Sequence, residues 1–189
     1  METIALSKIE KKILHLGILG KVVFTLMFVL LTALSSKVKI FLPFSPVPIT
    51  MQTFSVLLSG IVLKEFGAIS QVLYLLLGLS GMDVFAKGGG LSYITSPTFG
   101  YIIGFIFASY IAGYFTRHFS DVKRIVLGLI LADLAIYVPG LTYLYIVLYI
   151  GHKGITLPYI LSIGFLPFVV GDVIKVIAAF GFAKWIKRV

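Results

Sequence analysis

Asp172 and Lys175 stand three residues apart in a run otherwise built of Phe, Val, Ile and Ala. On a helix that spacing puts an acid and a base on one face. An ionisable group inside a membrane span costs several kcal/mol by most estimates, so it usually faces a bundle interior or a cavity. Two readings are open: a self-paired ion pair that fixes helix packing, or a binding site. The site is preferred, because a buried pair is often no more stable than apolar replacements. In a site, Lys175 offers a cation to a carboxylate and Asp172 accepts from a ligand N–H or O–H. Gln52, Tyr93 and Tyr101 are candidate neutral partners, Gln52 because an amide near the start of an apolar helix needs one. Phe41, Phe44 and Phe165 are candidates for apolar wall. The fitting ligand has an acid at one end and amide-like groups at the other. Asp133 is a second intramembrane acid, and a substrate or a Tyr or backbone partner fits it equally well.

These residues need helices to hold them. The chain has 189 residues, 59% hydrophobic and 12% charged, with mean hydropathy +1.09. Soluble domains carry roughly 25% charged residues, so the expectation is an all-α, polytopic membrane protein with room for about six spans and no separate soluble domain. Residues 1–189 are read as a single transmembrane domain with a short basic lead-in at 1–12, followed by an uncleaved first helix over 13–36. Second and third helices flank the turn at Gly67, a fourth starts at Ser96-Pro97 and runs to about Thr116, and a fifth from Ile125 is disturbed at Pro139-Gly140. Ser as N-cap and Pro at the first helical position give the fourth its start. The stretch from Gly151 to Pro158 reads as loop, and the final helix is expected to begin near Pro167.

Two loops are distinctive. Pro43, Pro46 and Pro48 stiffen an apolar connection that looks more like a cover than a linker. Gly88-Gly89-Gly90 permits close backbone approach to a ligand or a neighbouring helix, which makes Gly89 a candidate contact. Six spans place both termini on the side that holds most of the 16 Lys and Arg residues, predicting cytoplasmic termini. The second, fourth and sixth helices then all begin on the outer side, with their positive dipole ends converging there beside both loops. The net charge of +9 is distributed over the ends of the apolar runs, so no nucleic-acid partner is expected; membrane lipid is.

Zero Cys removes disulfides and thiolate chemistry. His15, His118 and His152 lack ligand spacing, so no metal site and no cofactor is expected. No nucleotide-binding, GxSxG or HExxH motif occurs, and an enzyme is not expected, although a small membrane enzyme using Asp133 or Asp172 is the alternative from another class. A helical scaffold or channel subunit is a further alternative; a channel would need a polar stripe that the second to fourth helices lack. Concentrating a solute would require an ATP-hydrolysing partner or an ion gradient.

Three motifs carry a resemblance to a known family: Pro46-Val47-Pro48-Ile49-Thr50-Met51-Gln52; Val84-Phe85-Ala86-Lys87-Gly88-Gly89-Gly90 with Ser96-Pro97-Thr98-Phe99-Gly100-Tyr101; and Pro167-Phe168 with Gly171-Asp172 and Lys175. Their order and spacing resemble BioY, the substrate-binding (S) component of energy-coupling factor (ECF) biotin transporters. The resemblance implies six helices in a prokaryotic plasma membrane and capture of biotin at the outer face by Asp172 and Lys175. It also implies docking onto a transmembrane coupling protein and two ABC-type ATPases. An S component for another acid-bearing vitamin is the alternative within the class. Ser96 and bulky Phe99 depart from the small residues usual in the family. The first helix has Thr32, Ala33, Ser35 and Ser36 in place of the AxxxA docking patch of many S components.

Overall fold

The computed structural model describes residues 17–151 and 155–188. The lead-in at 1–12, His15, His152 and Lys153 lie outside the described residues.

Helix α1 (Gly17–Lys37) shows how the bundle is patterned. Ile18, Leu19, Val22, Leu26 and Leu30 are exposed, whereas Thr25, Phe28, Thr32 and Ser36 are buried. Apolar side chains facing out and small polar ones facing in is the arrangement of a helix solvated by lipid. Thr32, Ala33 and Ser36 are buried, and Ser35 shares a hydrogen bond with Ser55 on the next helix, so these residues are committed to internal packing.

After α1, strands β1 (Lys39–Ile40) and β2 (Ile49–Thr50) pair antiparallel, Lys39 opposite Thr50, and close the proline-rich connection into a narrow loop. Helices α2 (Gln52–Leu63) and α3 (Gly67–Leu79) are joined by a 3-10 turn at Lys64–Phe66. They form a hairpin: Gln71 donates to Ser59 (3.1 Å) near the turn, and Gln52 donates to Tyr74 (2.6 Å) near the open end. Each limb is roughly 18–20 Å long at 1.5 Å per residue, shorter than a typical ~30 Å hydrocarbon core.

Helices α4 (Phe99–His118) and α5 (Val122–Gly151) form the most extensive helix pair. A Cβ on Gly100 would lie 2.3 Å from the Pro139 carbonyl oxygen, and one on Gly104 would lie 2.7 Å from the Ile136 backbone. Only glycine allows the two backbones to come so near. Helix α4 begins at Phe99, two residues later than the Pro97 start that the Ser96-Pro97 pattern suggests; Ser96 is extended and its hydroxyl pairs with that of Thr98. Helix α5 runs unbroken through Pro139, where neighbouring helices tolerate the missing N–H.

The last span is broken. Helix α6 (Leu157–Gly164) begins at the end of the stretch that reads as loop and fills most of the interval before Pro167, with Pro158 in its first turn, where the absent N–H costs nothing. The chain turns at 165–168, and α7 (Val169–Arg188) leaves at 51° to α6. Pro167 lies in the turn, two residues before α7.

By length and hydropathy the described residues supply four spans, with Gln52–Leu79 as one of them, or five if α6 and α7 count together. The hairpin shows that Gln52–Leu79 runs down and back up. Its turn meets the C-terminal end of α4, where Arg117 pairs with Glu65 at 3.0 Å. Opposite that turn, the loops following α1, α3 and α6 gather at one end of the bundle.

Candidate functional site

Asp172 occupies the first turn of α7, where the positive end of the helix favours a carboxylate. Its backbone N–H donates to Phe168 O (2.8 Å), one of the bonds that start the helix after the Pro167 turn. Lys175 follows on the same face, and Val176, Ala179, Ala183 and Ile186 continue that buried stripe. Asp172 and Lys175 are 5% and 7% exposed. Lys175 Nζ donates to Asp172 Oδ1 (2.9 Å), and Tyr137 Oη of α5 donates to Asp172 Oδ2. Asp133, one turn along α5 from Tyr137, is 8% exposed.

The pair borders a cavity. It encloses about 560 Å³ of space between atoms, the part open to solvent included, and is lined by Asp133, Tyr137, Asp172 and Lys175 among others. Gln52 and Thr53 from α2, Tyr101 and Phe105 from α4, and Phe168 at the head of α7 close its walls. The N-terminal ends of α2, α4 and α7 thus converge on one space, as the alternation of the spans predicts. Val47, Pro48 and Thr50 from the proline loop and Ala86 from the glycine loop cover it.

Three lysines at this end of the bundle tie that cover together. Lys87 Nζ donates to Pro46 O (2.6 Å), Lys39 Nζ to Ala86 O, and Lys37 Nζ both to Asp83 (2.7 Å) and to Phe85 O (3.0 Å). Ser45 Oγ donates to Ile163 O (2.7 Å), which fastens the proline loop to α6. The hydrogen bond and charge of Lys37 hold the Asp83 carboxyl below the usual carboxylate range. Burial, and then Lys39, hold the Lys87 ammonium below its ordinary value.

Of the residues singled out from sequence, Asp172, Lys175, Gln52, Tyr93 and Tyr101 all line the cavity. The neutral three also make hydrogen bonds within the protein. Gln52 Nε2 donates to Tyr74, while its Oε1 accepts from Thr50 (3.1 Å). Tyr93 Oη accepts from Thr98 (2.8 Å), and Tyr101 Oη donates to Gly164 O (2.9 Å), pinning the break between α6 and α7. They shape the wall, and the Tyr93 hydroxyl and one Gln52 amide N–H keep a donor.

Phe44 and Gly89 are outside the lining. Phe44 is 58% exposed on the far side of its loop, and Phe41 is similarly exposed. A Cβ on Gly89 would lie 1.9 Å from Met82 O, so that glycine is needed for packing within its own loop. Gly88 and Gly90 supply positive φ angles of 121° and 93° for the turns. Phe165 packs edge-on against Tyr137, with ring centroids 4.8 Å apart, and supports the wall from behind. Tyr137, the tyrosine one turn from Asp133, bonds Asp172. Tyr137 was legible as the residue four after Asp133, on the same helical face. Thr98, Phe105 and Phe168 gave no signal separable from ordinary packing. Among the described residues, no group of three or more His, Asp or Glu side chains suits a metal ion.

Known proteins resemble this chain in sequence and in fold. The model of the BioY family matches residues 7–189. A probable biotin transporter BioY of Lysinibacillus sphaericus is 35% identical over 158 residues, covering 81% of this chain and 79% of the relative. A biotin transporter BioY of Rhizobium etli is 34% identical over 161 residues, covering 79% and 83%. Among solved structures, the S-component for biotin from an ECF-type ABC transporter superposes with TM-score 0.78 at 22% identity, covering 90% of this chain and 92% of that one. That likeness establishes a shared fold.

Proposed function

The chain belongs to the BioY family, and from that premise we propose that it is the biotin-binding S component of an ECF-type uptake transporter, capturing the vitamin at the outer face of a prokaryotic plasma membrane. It is a multi-pass membrane protein and a transport component rather than an enzyme. One observation carries the reading: a charged pair at membrane depth borders a cavity beneath two laced loops. Asp172 accepts from the ligand's N–H groups, and Lys175, with one N–H held by Asp172, keeps donors for a ligand oxygen. Gln52, Tyr93 and Tyr101 form the wall around them.

The whole chain acts as one transmembrane domain. Counting each hairpin limb, and α6 with α7 together, gives six traversals with both termini cytoplasmic, in keeping with the Lys and Arg distribution. The sequence has no nucleotide-binding motif, so energy comes from a transmembrane coupling protein and two ABC-type ATPases that dock onto it. Phe44 and Gly89 act through their loops and not by ligand contact.

The test is equilibrium binding to purified protein in detergent, with biotin in competition with other acid-bearing vitamins. Biotin should win; preferential binding of another vitamin would move the protein to a different specificity, and binding of none would refute the reading. Uptake by cells should require the ATPase partners, and concentrative uptake by the chain alone would contradict that requirement.

A further inference from the structure

The polar groups of the cavity can be accounted for atom by atom. Each oxygen of Asp172 already accepts one hydrogen bond, from Tyr137 and from Lys175, and keeps a lone pair for a ligand N–H. Asp133 Oδ1 is buried and has no hydrogen-bond partner among the described residues. Nor does any ion pair within 4.0 Å join Asp133 to Lys175 among them. A buried carboxylate oxygen left unpaired costs more than a neutral one, so native structures rarely retain it without a reason. Its neighbours on α5, Ala132, Ile136 and Tyr137, are buried, and Asp133 lines the cavity with Ile136 and Tyr137. The acid therefore faces the ligand space and not lipid.

Depth adds a second constraint. Helix α5 rises from the inner turn and α7 descends from the outer loops, so Asp133 lies below Tyr137 and Lys175 below Asp172. Asp133 and Lys175 share the floor, with Asp172 one turn above. A ligand carboxylate brought to Lys175 would meet two protein carboxylates around a single ammonium, and like charges at that range repel. A neutral group with a carbonyl between two N–H donors has the opposite fit.

We infer that Asp133 is a ligand-binding residue whose Oδ1 accepts an N–H from the cyclic urea of the bound vitamin, with Lys175 donating to the urea carbonyl and Asp172 facing the other N–H. The inference rests on the proposed biotin specificity and assigns the ring end to the floor. The acid tail then points up toward Lys39 and Lys87.

A double cycle tests it. Binding of biotin and of its two singly N-methylated urea analogues is measured for wild type, Asp133→Ala and the isosteric Asp133→Asn, each shown monodisperse by gel filtration. Asp133→Ala should weaken biotin binding at least tenfold. It should cost less than threefold for the analogue whose methyl replaces the N–H facing Asp133. Asp133→Asn should show a smaller loss and the same pattern, which keeps the readout if the alanine variant does not fold. Wild-type biotin binding with unchanged affinity in both variants overturns this inference alone, as does an equal loss for all three ligands. Absence of wild-type biotin binding overturns the vitamin assignment and this inference with it.

Discussion

Two buried polar clusters lie within the bundle, and only one of them looks like a site. In the seam between α1, α2, α3 and α4, Ser59 and Ser109 share a hydrogen bond of 2.7 Å, and Gln71 donates to Ser59 and Ser70. Gly60 and Gly67 let the backbones close on this seam, since a Cβ on either would lie within 2.4 Å of Ser109. The cluster is neutral, and none of these residues lines the cavity. In the other cluster Asp133, Tyr137, Asp172 and Lys175 carry charge and line open space. Gln71 Oε1 is unpaired just as Asp133 Oδ1 is. An unpaired oxygen is therefore not enough to mark a site; ionisable groups against a cavity are. The seam binds helix to helix, and the cavity cluster spends stability to hold a guest.

The sharpest way to break that contrast is to disrupt the charged pair one half at a time. Asp172→Ala leaves a buried ammonium without its partner, and should destabilise the protein by about 3–5 kcal/mol in thermal or denaturant unfolding. Biotin affinity should fall at least tenfold in the same protein. Replacing both, as Asp172→Leu with Lys175→Met, should recover most of the stability and none of the binding. A double variant that binds biotin like wild type would make the pair structural.

The seam should respond in the opposite sense. Gly60→Val drives a side chain into the α4 backbone and should cost about 1–3 kcal/mol, while the folded fraction binds biotin with affinity within twofold of wild type. Smaller again, Gln71→Met exchanges a partly satisfied amide for an apolar group of similar length, and should change stability by no more than about 1 kcal/mol with binding unaltered. A tenfold loss of affinity in either would show that the seam communicates with the cavity. Phe44→Ala should do least, shifting affinity by less than twofold, because the ring lies outside the lining; a larger loss would return Phe44 to the site.

Much of this contrast is legible in the sequence, for identifiable reasons. Charge in an apolar run is rare enough that Asp172 and Lys175 stand out, and their spacing puts them on one face. Pro43, Pro46 and Pro48 and the glycines at 88–90 announce loops, and alternation of spans brings those loops over the same helix ends. What is not legible depends on neighbours distant in sequence. Nothing in the string pairs Gln52 with Tyr74, Tyr101 with Gly164 or Tyr137 with Asp172. Those pairings decide which groups remain free for a ligand. That Phe44 and Gly89 lie outside the lining is not legible either, because exposed aromatics and loop-packing glycines have the same letters as pocket ones. Helix α6 was hidden by its own punctuation: Pro158 opens it, yet reads as the end of a loop, and Pro167 in the turn after it reads as the start of the final helix.

The measurement that bears most directly on the account is calorimetric titration of biotin into detergent-solubilised Lys175→Met beside wild type, both verified as folded. Wild type should bind, and the variant should bind at least tenfold more weakly, since a lost charged hydrogen bond in a buried site is worth about 1.5–3 kcal/mol. Equal affinities in the two proteins would contradict the claim that this pair was placed in the membrane to hold the vitamin.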